Sequence, residues 1–238
     1  MKPSLVIMAA GMGRRMKEVT ENNHKALLEV NGKPIIEYNI ECIIEAGIDR
    51  IILVVGYLKE RFYYLKDKYG DQIEIIFVEN KKYKEYNTLS TLYYASPYFT
   101  MDSYIVCADL YMVNNIYKKY ETDHNFYLHR HVENLEKPEW IAELTDDNCI
   151  IKVDTAGCTG SAYTGVSYWP LEDIQYIKEL IFAADWESEE TKKMYWDEIL
   201  FPVFSTWKVH VKQCTDKDFV EVDDQEDLGF LYDFVDKK

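Results

Sequence analysis

Through its first half the chain alternates short apolar runs with segments of helical periodicity. Ser4–Ala9 is an apolar run that ends in a glycine-containing loop, which predicts a buried strand. Pro34–Ala46 carries Ile35, Ile36, Ile40, Ile43 and Ile44 at helical spacing and stops at Gly47, which predicts a helix. Arg50–Val55 reads as a strand buried on both faces, Lys59–Tyr69 as an amphipathic helix closed by Gly70, and Glu74–Val78 as the next strand. A polar loop with several Lys and Tyr leads to a helix starting near Asn87, capped by Asn87 or Thr88. Tyr104–Ala108 is a further strand, ending at Asp109. This alternation predicts βαβ units, hence an α/β fold whose parallel sheet is covered by helices.

After about residue 120 the rhythm changes. Phe126–His131, Ile141–Leu144, Ile150–Val153 and Tyr163–Trp169 read as strands with no helix between them. Helical stretches follow at Leu171–Ala184 and Glu189–Leu200, then strands at Val209–Gln213 and Phe219–Val222. A last helix, Gln225–Val235, begins after Asp223-Asp224, two charges suited to a helix N-terminus. No internal repeat and no linker rich in Gly, Ser or Pro divides the chain, so a single domain over residues 1–238 is expected.

Composition narrows the function classes. Hydrophobic residues make up 47%, ample for a core and too many for a disordered chain. The net charge of −15 argues against a nucleic-acid partner, whose footprint is a basic stripe. It leaves room for a polyphosphate site, because a small anion needs only a local nest of donors. No apolar run approaches the roughly 20 residues of a membrane span, and Met1-Lys2-Pro3-Ser4 followed by a short apolar run does not read as a signal peptide. Cys42, Cys107, Cys149, Cys158 and Cys214 are scattered and form no Cys-x-x-Cys pair, so a reduced, cytoplasmic protein is expected.

The candidate chemistry begins at the end of the first predicted strand. In Met8-Ala9-Ala10-Gly11-Met12-Gly13-Arg14-Arg15-Met16, two small residues permit close approach and two glycines let backbone N–H groups converge. That arrangement cradles phosphates, and Arg14 or Arg15 adds a planar guanidinium; a plain glycine turn is the competing reading. The stretch lacks the Gly-Lys-Ser/Thr of a Walker A loop, and Met16 stands where a dinucleotide-binding loop needs a third small residue. Downstream lie Asn22-Asn23-His24-Lys25-Ala26-Leu27 and Gly32-Lys33-Pro34-Ile35.

Together these segments resemble the nucleotidyltransferase superfamily that activates sugar phosphates and phosphocholine. Its pattern is Leu-Ala-Ala-Gly-x-Gly-Ser/Thr-Arg-Leu/Met, then Thr-x-x-x-Pro-Lys-Ala/Leu, then Gly-Lys-Pro-Leu/Ile, with Thr20, Lys25 and Lys33-Pro34-Ile35 in register. Within the superfamily the chain is most similar to bacterial CTP:phosphocholine cytidylyltransferases. The likeness runs through Val55-Gly56-Tyr57-Leu58-Lys59-Glu60, Tyr86-Asn87, Ser90-Thr91-Leu92-Tyr93, Glu139-Trp140, Gly165-Val166-Ser167-Tyr168-Trp169, Tyr195-Trp196-Asp197 and Glu221-Val222-Asp223. Two positions depart from the pattern. Arg14 replaces the family Ser/Thr, so Arg15 matches the family arginine, and His24 replaces the proline before Lys25, which leaves the lysine loop less constrained.

The resemblance implies a Rossmann-like, mostly parallel mixed sheet flanked by helices, with a nucleotide-binding half to about residue 120. A smaller β-rich acceptor-binding lid is expected over about 121–238. It further implies that a phosphate oxygen attacks the α-phosphorus of CTP and expels pyrophosphate. Lys25 and Arg15 are the expected catalytic cations, with Mg2+ held by Asp109 and Asp223; a loop cap and a helix N-cap are the ordinary alternatives for these aspartates. Ala9, Ala10, Gly11, Met12, Gly13, Arg14, Glu79, Asn80, Asn87 and Ala108 are expected around the nucleotide. Glu133, Glu139, Trp140 and Tyr195 are expected around the acceptor, because a trimethylammonium group offers no N–H and is recognised by π-faces and negative charge. Phosphocholine is the expected acceptor, with 2-aminoethylphosphonate, phosphoethanolamine or a sugar 1-phosphate as alternatives. A non-catalytic nucleotide-binding regulator is the remaining alternative, disfavoured by the intact Arg15, Lys25, Asp109 and Asp223. His129 and His131, two apart with no third ligand in register, suggest a half-exposed strand face rather than a metal site.

Overall fold

The computed structural model describes residues 2–236. Strand β1 (Ser4–Ala9) runs into the glycine loop and two 3-10 segments, Arg14–Thr20 and Lys25–Leu27. A small ribbon, β2 (Glu29–Val30) with β3 (Lys33–Pro34), then leads into helix α1 (Ile35–Glu45). Next come β4 (Arg50–Val55), α2 (Tyr64–Tyr69), β5 (Glu74–Glu79), α3 (Thr88–Ala95), β6 (Ser103–Cys107), β7 (Leu110–Met112) and α4 (Ile116–Lys119). The second half holds β8 (Phe126–Val132), β9 (Glu139–Leu144), β10 (Ile150–Gly157), β11 (Gly160–Trp169), α5 (Leu171–Ala183) and α6 (Glu189–Lys193). It ends with β12 (His210–Cys214), β13 (Phe219–Glu221) and α7 (Gln225–Asp236).

Strands β5, β4, β1 and β6 lie side by side and parallel, with Leu5 opposite Ile51 on one edge and Tyr104 on the other. Their side chains alternate between two cores. Leu5, Ile7, Ile51 and Leu53 pack with Ile36, Ile40 and Ile43 of α1, whereas Val6, Ile52 and Val54 pack with Leu89 and Leu92 of α3 and Ile174, Ile177 and Ile181 of α5. Burial on both faces explains why these strands read as continuous apolar runs. The chain leaves β1 for β4 on one side and returns as β6 on the other. The carboxyl ends of β1 and β6 therefore flank a topological switch point, where open α/β sheets bind ligands.

The sheet is mixed, as expected, and its β-rich part extends the same sheet. The last residues of β11 pair antiparallel with β6 and its first residues with β9, while β8 pairs with it from Gly160 to Tyr168. A register shift between Tyr163 and Ser167 surrounds Gly165, which sits at φ +65.

Besides the short β2–β3 ribbon and α4, which carry no period in the sequence, three elements differ from the sequence expectation. Lys59–Tyr69 begins as a 3-10 turn over Lys59–Phe62, because Leu58 holds a left-handed φ of +52. The expected helix Glu189–Leu200 is interrupted: α6 ends at Lys193, Met194 and Tyr195 are extended, and a 3-10 segment spans Trp196–Val203. Hydrogen bonds to α3 hold the interruption, with Leu89 N–H donating to Met194 O and Trp196 N–H to Thr88 Oγ1 at 3.0 Å. The third difference is β7, too short to show a period, which pairs with β13 as a separate ribbon.

Candidate active site

The glycine loop after β1 is folded on its own backbone. Gly13, at φ +60, accepts hydrogen bonds at its carbonyl from Met16 N–H at 2.9 Å and Thr20 Oγ1 at 3.0 Å. An added Cβ at Gly13 would meet Thr20 Cγ2 at 3.2 Å, so the Gly–Thr pairing of the motif is a packing requirement. Ala10 is buried and its carbonyl accepts from Tyr57 N–H, which pins the loop to the turn after β4.

His24 does what the missing proline would do. Its Nδ1 accepts from Ala26 N–H at 3.1 Å and caps the Lys25–Leu27 turn, while its ring packs edge-on against Phe62. The departure therefore leaves the loop constrained, contrary to the expectation from sequence. Burial, and then the charge of Lys25, lower its pKa to about 3, so the ring stays neutral.

The β7–β13 ribbon brings the two aspartates together. Val222 N–H donates to Asp109 O, which sets the strand end carrying Asp109 against the one carrying Asp223. Lys25 Nζ bonds Asp109 Oδ2 and lies 3.1 Å from Asp223 Oδ1; Arg15 reaches the same Asp223 oxygen at 3.0 Å. Burial opposes the charge on Lys25, yet Asp109 and Asp223 outweigh it and raise its pKa. Asp223 is not the helix cap: Asp224 Oδ1 accepts from Glu226 and Asp227 N–H. Nor is Asp109 a loop cap through its side chain, since Oδ2 is held by Lys25 and buried Oδ1 has no hydrogen-bond partner.

Glu221 joins the group, with ligand atoms of Asp109, Glu221 and Asp223 within 4.8 Å of one another. Burial first, then Asp223 and Asp109, push Glu221 well above the usual carboxylate range. The Glu-x-Asp spacing at the end of a strand was the sequence signal for it, since such residues share a face. Three oxygen donors, one with an unsatisfied buried oxygen, suit a hard divalent cation.

Arg15, His24, Lys25, Asp109 and Asp223, but not Glu221, line a cleft of about 590 Å³. Gly11, Met12, Gly13, Arg14, Asn80, Asn87 and Tyr195 also line it, while Ala9, Ala108, Glu79, Glu133, Glu139 and Trp140 do not. Ala9 and Ala108 are core residues behind the loop. Glu79 is engaged by Lys59 at 2.7 Å, and Glu133 is exposed beside His131. Asn80 is buried, its amide donating to Ser90 and Thr91 of α3. The sequence reading missed Met8, Cys107, Tyr83, Lys84, Tyr86 and Lys192-Lys193 on the cleft wall. Tyr83 packs against Gly56, where a Cβ would meet its ring at 2.9 Å.

At one end of the cleft Tyr195, 44% exposed, meets Trp140 edge to face with ring centroids 5.2 Å apart; Trp140 also contacts Tyr163 and Phe201. Partial desolvation and then the charge of Asp223 raise the pKa of Glu139. Asp197, two residues past Tyr195, accepts from Tyr127 OH at 2.8 Å, and burial pushes its pKa up to about 7. His129 is buried against Ser161 and His131 is exposed, so they share no metal site. All five cysteines are free thiols, and no described helix is long and apolar enough to cross a membrane.

Residues 5–118 match the family model described as a MobA-like NTP transferase domain, and the class of the chain, a nucleotidyltransferase, follows from the relatives that match it over nearly its whole length. Choline-phosphate cytidylyltransferase of Streptococcus pneumoniae is 35% identical over 97% of both chains. The solved CTP:phosphocholine cytidylyltransferase from Streptococcus pneumoniae superposes with a TM-score of 0.88 at 34% identity, covering 99% of this chain and 100% of that one. A 2-aminoethylphosphonate cytidylyltransferase of Lancefieldella rimae is 29% identical over 97% of this chain and 94% of its own. The chain belongs to the family of the choline-phosphate cytidylyltransferases. It is an enzyme, and the reading as a non-catalytic regulator falls away.

Proposed function

We propose that the enzyme transfers CMP from CTP to phosphocholine, giving CDP-choline and pyrophosphate. The observation that carries the choice of acceptor is Tyr195, which lines the same cleft as the Arg15–Asp223 pair and meets Trp140 edge to face. Two aromatic faces and nearby carboxylates suit a quaternary ammonium, which offers no N–H to bond.

A phosphate oxygen of the acceptor forms a bond to the α-phosphorus while the bond from that phosphorus to the β-phosphate oxygen breaks. The electron pair leaves on pyrophosphate. Both reactants are anions, so charge neutralisation and in-line placement supply most of the rate. Lys25 leaves its carboxylates for the α-phosphate, and Arg15 and Arg14 hold the triphosphate over the N–H groups of Gly11–Gly13. A divalent cation, Mg2+ by its preference for oxygen donors and phosphate, would be held by Asp109 and Asp223 with Glu221 adjacent, and would supply positive charge to the α-phosphate and leaving group. A reducing, cytoplasmic setting belongs to this reading, supported by five cysteines that are all free thiols.

A second reading keeps the chemistry and takes 2-aminoethylphosphonate, favoured by Glu139, whose carboxylate suits a primary ammonium. Pyrophosphate release with CTP and Mg2+, measured against phosphocholine, phosphoethanolamine, 2-aminoethylphosphonate and glucose 1-phosphate, decides between them. Phosphocholine is expected to give the highest kcat/KM. A higher value with 2-aminoethylphosphonate overturns the first reading.

A further inference from the structure

Asn87 matches a nucleotide-binding position by resemblance, yet both ends of its amide are engaged within the protein. Its Oδ1 caps α3 by accepting from Thr88 N–H at 2.8 Å, and its Nδ2 donates to Lys193 O at 2.9 Å. Its own N–H donates to Lys192 O at 2.8 Å. With Leu89 N–H on Met194 O and Trp196 N–H on Thr88 Oγ1, four hydrogen bonds join the first turn of α3 to residues 192–196. Tyr195 lies within that span, its N–H held from the other side by Glu198 Oε2 at 2.6 Å.

The inner side of the same turn faces the cleft. Thr88 and Thr91 line it, and buried Asn80 on the cleft wall donates to Ser90 and Thr91. One helical turn thus carries contacts toward the nucleotide cleft and holds the backbone that presents the acceptor aromatic.

We propose that Asn87 is a positioning residue for the acceptor: it ties Tyr195 to the first turn of α3, so that nucleotide seated against that turn sets the Trp140–Tyr195 corner. Its amide then makes no essential contact with the nucleotide. This rests on the acceptor assignment made above for Tyr195.

Asn87→Ser keeps an oxygen that caps the helix and removes the donor to Lys193 O. The KM for phosphocholine is expected to rise roughly tenfold, the scale of one lost hydrogen bond in a pinned strap, with the KM for CTP within about twofold of the parent. On a Tyr195→Ala background the same substitution is expected to change the phosphocholine KM no further. Thr88→Val, which removes the acceptor of Trp196 N–H, is expected to move the same constant in the same direction and serves if Asn87→Ser does not fold. A rise in the CTP KM with the phosphocholine KM unchanged overturns the proposal by making Asn87 a nucleotide ligand. An undiminished effect in the Tyr195→Ala background overturns it as well. If the parent enzyme prefers 2-aminoethylphosphonate, the phosphocholine reading falls and the same comparison is run with that acceptor, so the two failures are distinguishable.

Discussion

Lys25 occupies the position that a cation needs, bridging Asp109 and Asp223 when no ligand is bound. Lys25→Ala is therefore expected to lower kcat by about 100-fold or more, the cost of losing a preorganised charge at the reacting phosphate. The same variant is expected to bind Mg2+ more tightly in the absence of nucleotide, because the competing ammonium is gone. Calorimetric titration of the metal checks this, and unchanged or weaker affinity refutes it. Asp197 supplies a pH prediction. Its folded pKa of about 7 lies above the usual carboxylate value, so the folded chain keeps a proton that the unfolded chain releases between about pH 4 and 7. Stability drawn from this group is full at the acid end of that window and lost as pH rises through it. Asp197→Asn keeps an acceptor for Tyr127 and removes the titration. Its melting temperature is expected to match the parent near pH 4 and exceed it above pH 7, by about 1–3 kcal/mol in free energy; a difference independent of pH refutes the assignment. At this scale the sequence was most legible where a motif fixes residue type, as at Gly13, Arg15, Lys25, Asp109 and Asp223. It was least legible where a side chain's partner lies far along the chain, as with Asn87 and Lys193.

Among the elements, the short ribbon of β7 and β13 does the most to build the site, and neither strand is long enough for a hydrophobic period to reveal the pairing. The break after Lys193 was hidden for a related reason. The local sequence suits a continuous helix, and bonds from α3 to Met194 and Trp196 override it. Long strands buried on both faces, β1 and β4, were read to the residue because nothing distant competes with their pattern. Gly165 connects the element scale to catalysis. A Cβ there would stand 2.8 Å from Cys107 Sγ, on the strand that ends two residues before Asp109, and its φ of +65 penalises any side chain. Gly165→Ala is expected to cost about 2 kcal/mol or more in urea unfolding and to lower kcat. Cys107→Ala in the same chain is expected to recover part of both, which loss of backbone freedom alone does not allow.

For the whole molecule the charge of −15 is distributed so that the cleft runs against it, with Arg14, Arg15 and Lys25 on one wall and Lys84, Lys192 and Lys193 on another. Because Lys25 and Arg15 already balance the carboxylates, chelation by EDTA is expected to abolish turnover without lowering the melting temperature. Adding CTP with Mg2+ at about 100 times its Kd is expected to stabilise the fold by about 2.7 kcal/mol; a chain that unfolds on chelation contradicts this charge balance. The ten-residue strand β11 has a further consequence. Its last residues are bonded to β6 and its first residues to β9, which carries Trp140, while β8 pairs with both halves. Among the described residues, the strand that carries Trp140 and the strand that leads to Asp109 therefore belong to one sheet, joined through β11. On the proposed reading, a substitution that reshapes the surroundings of Trp140 strains, through β11, the strand that leads to Asp109.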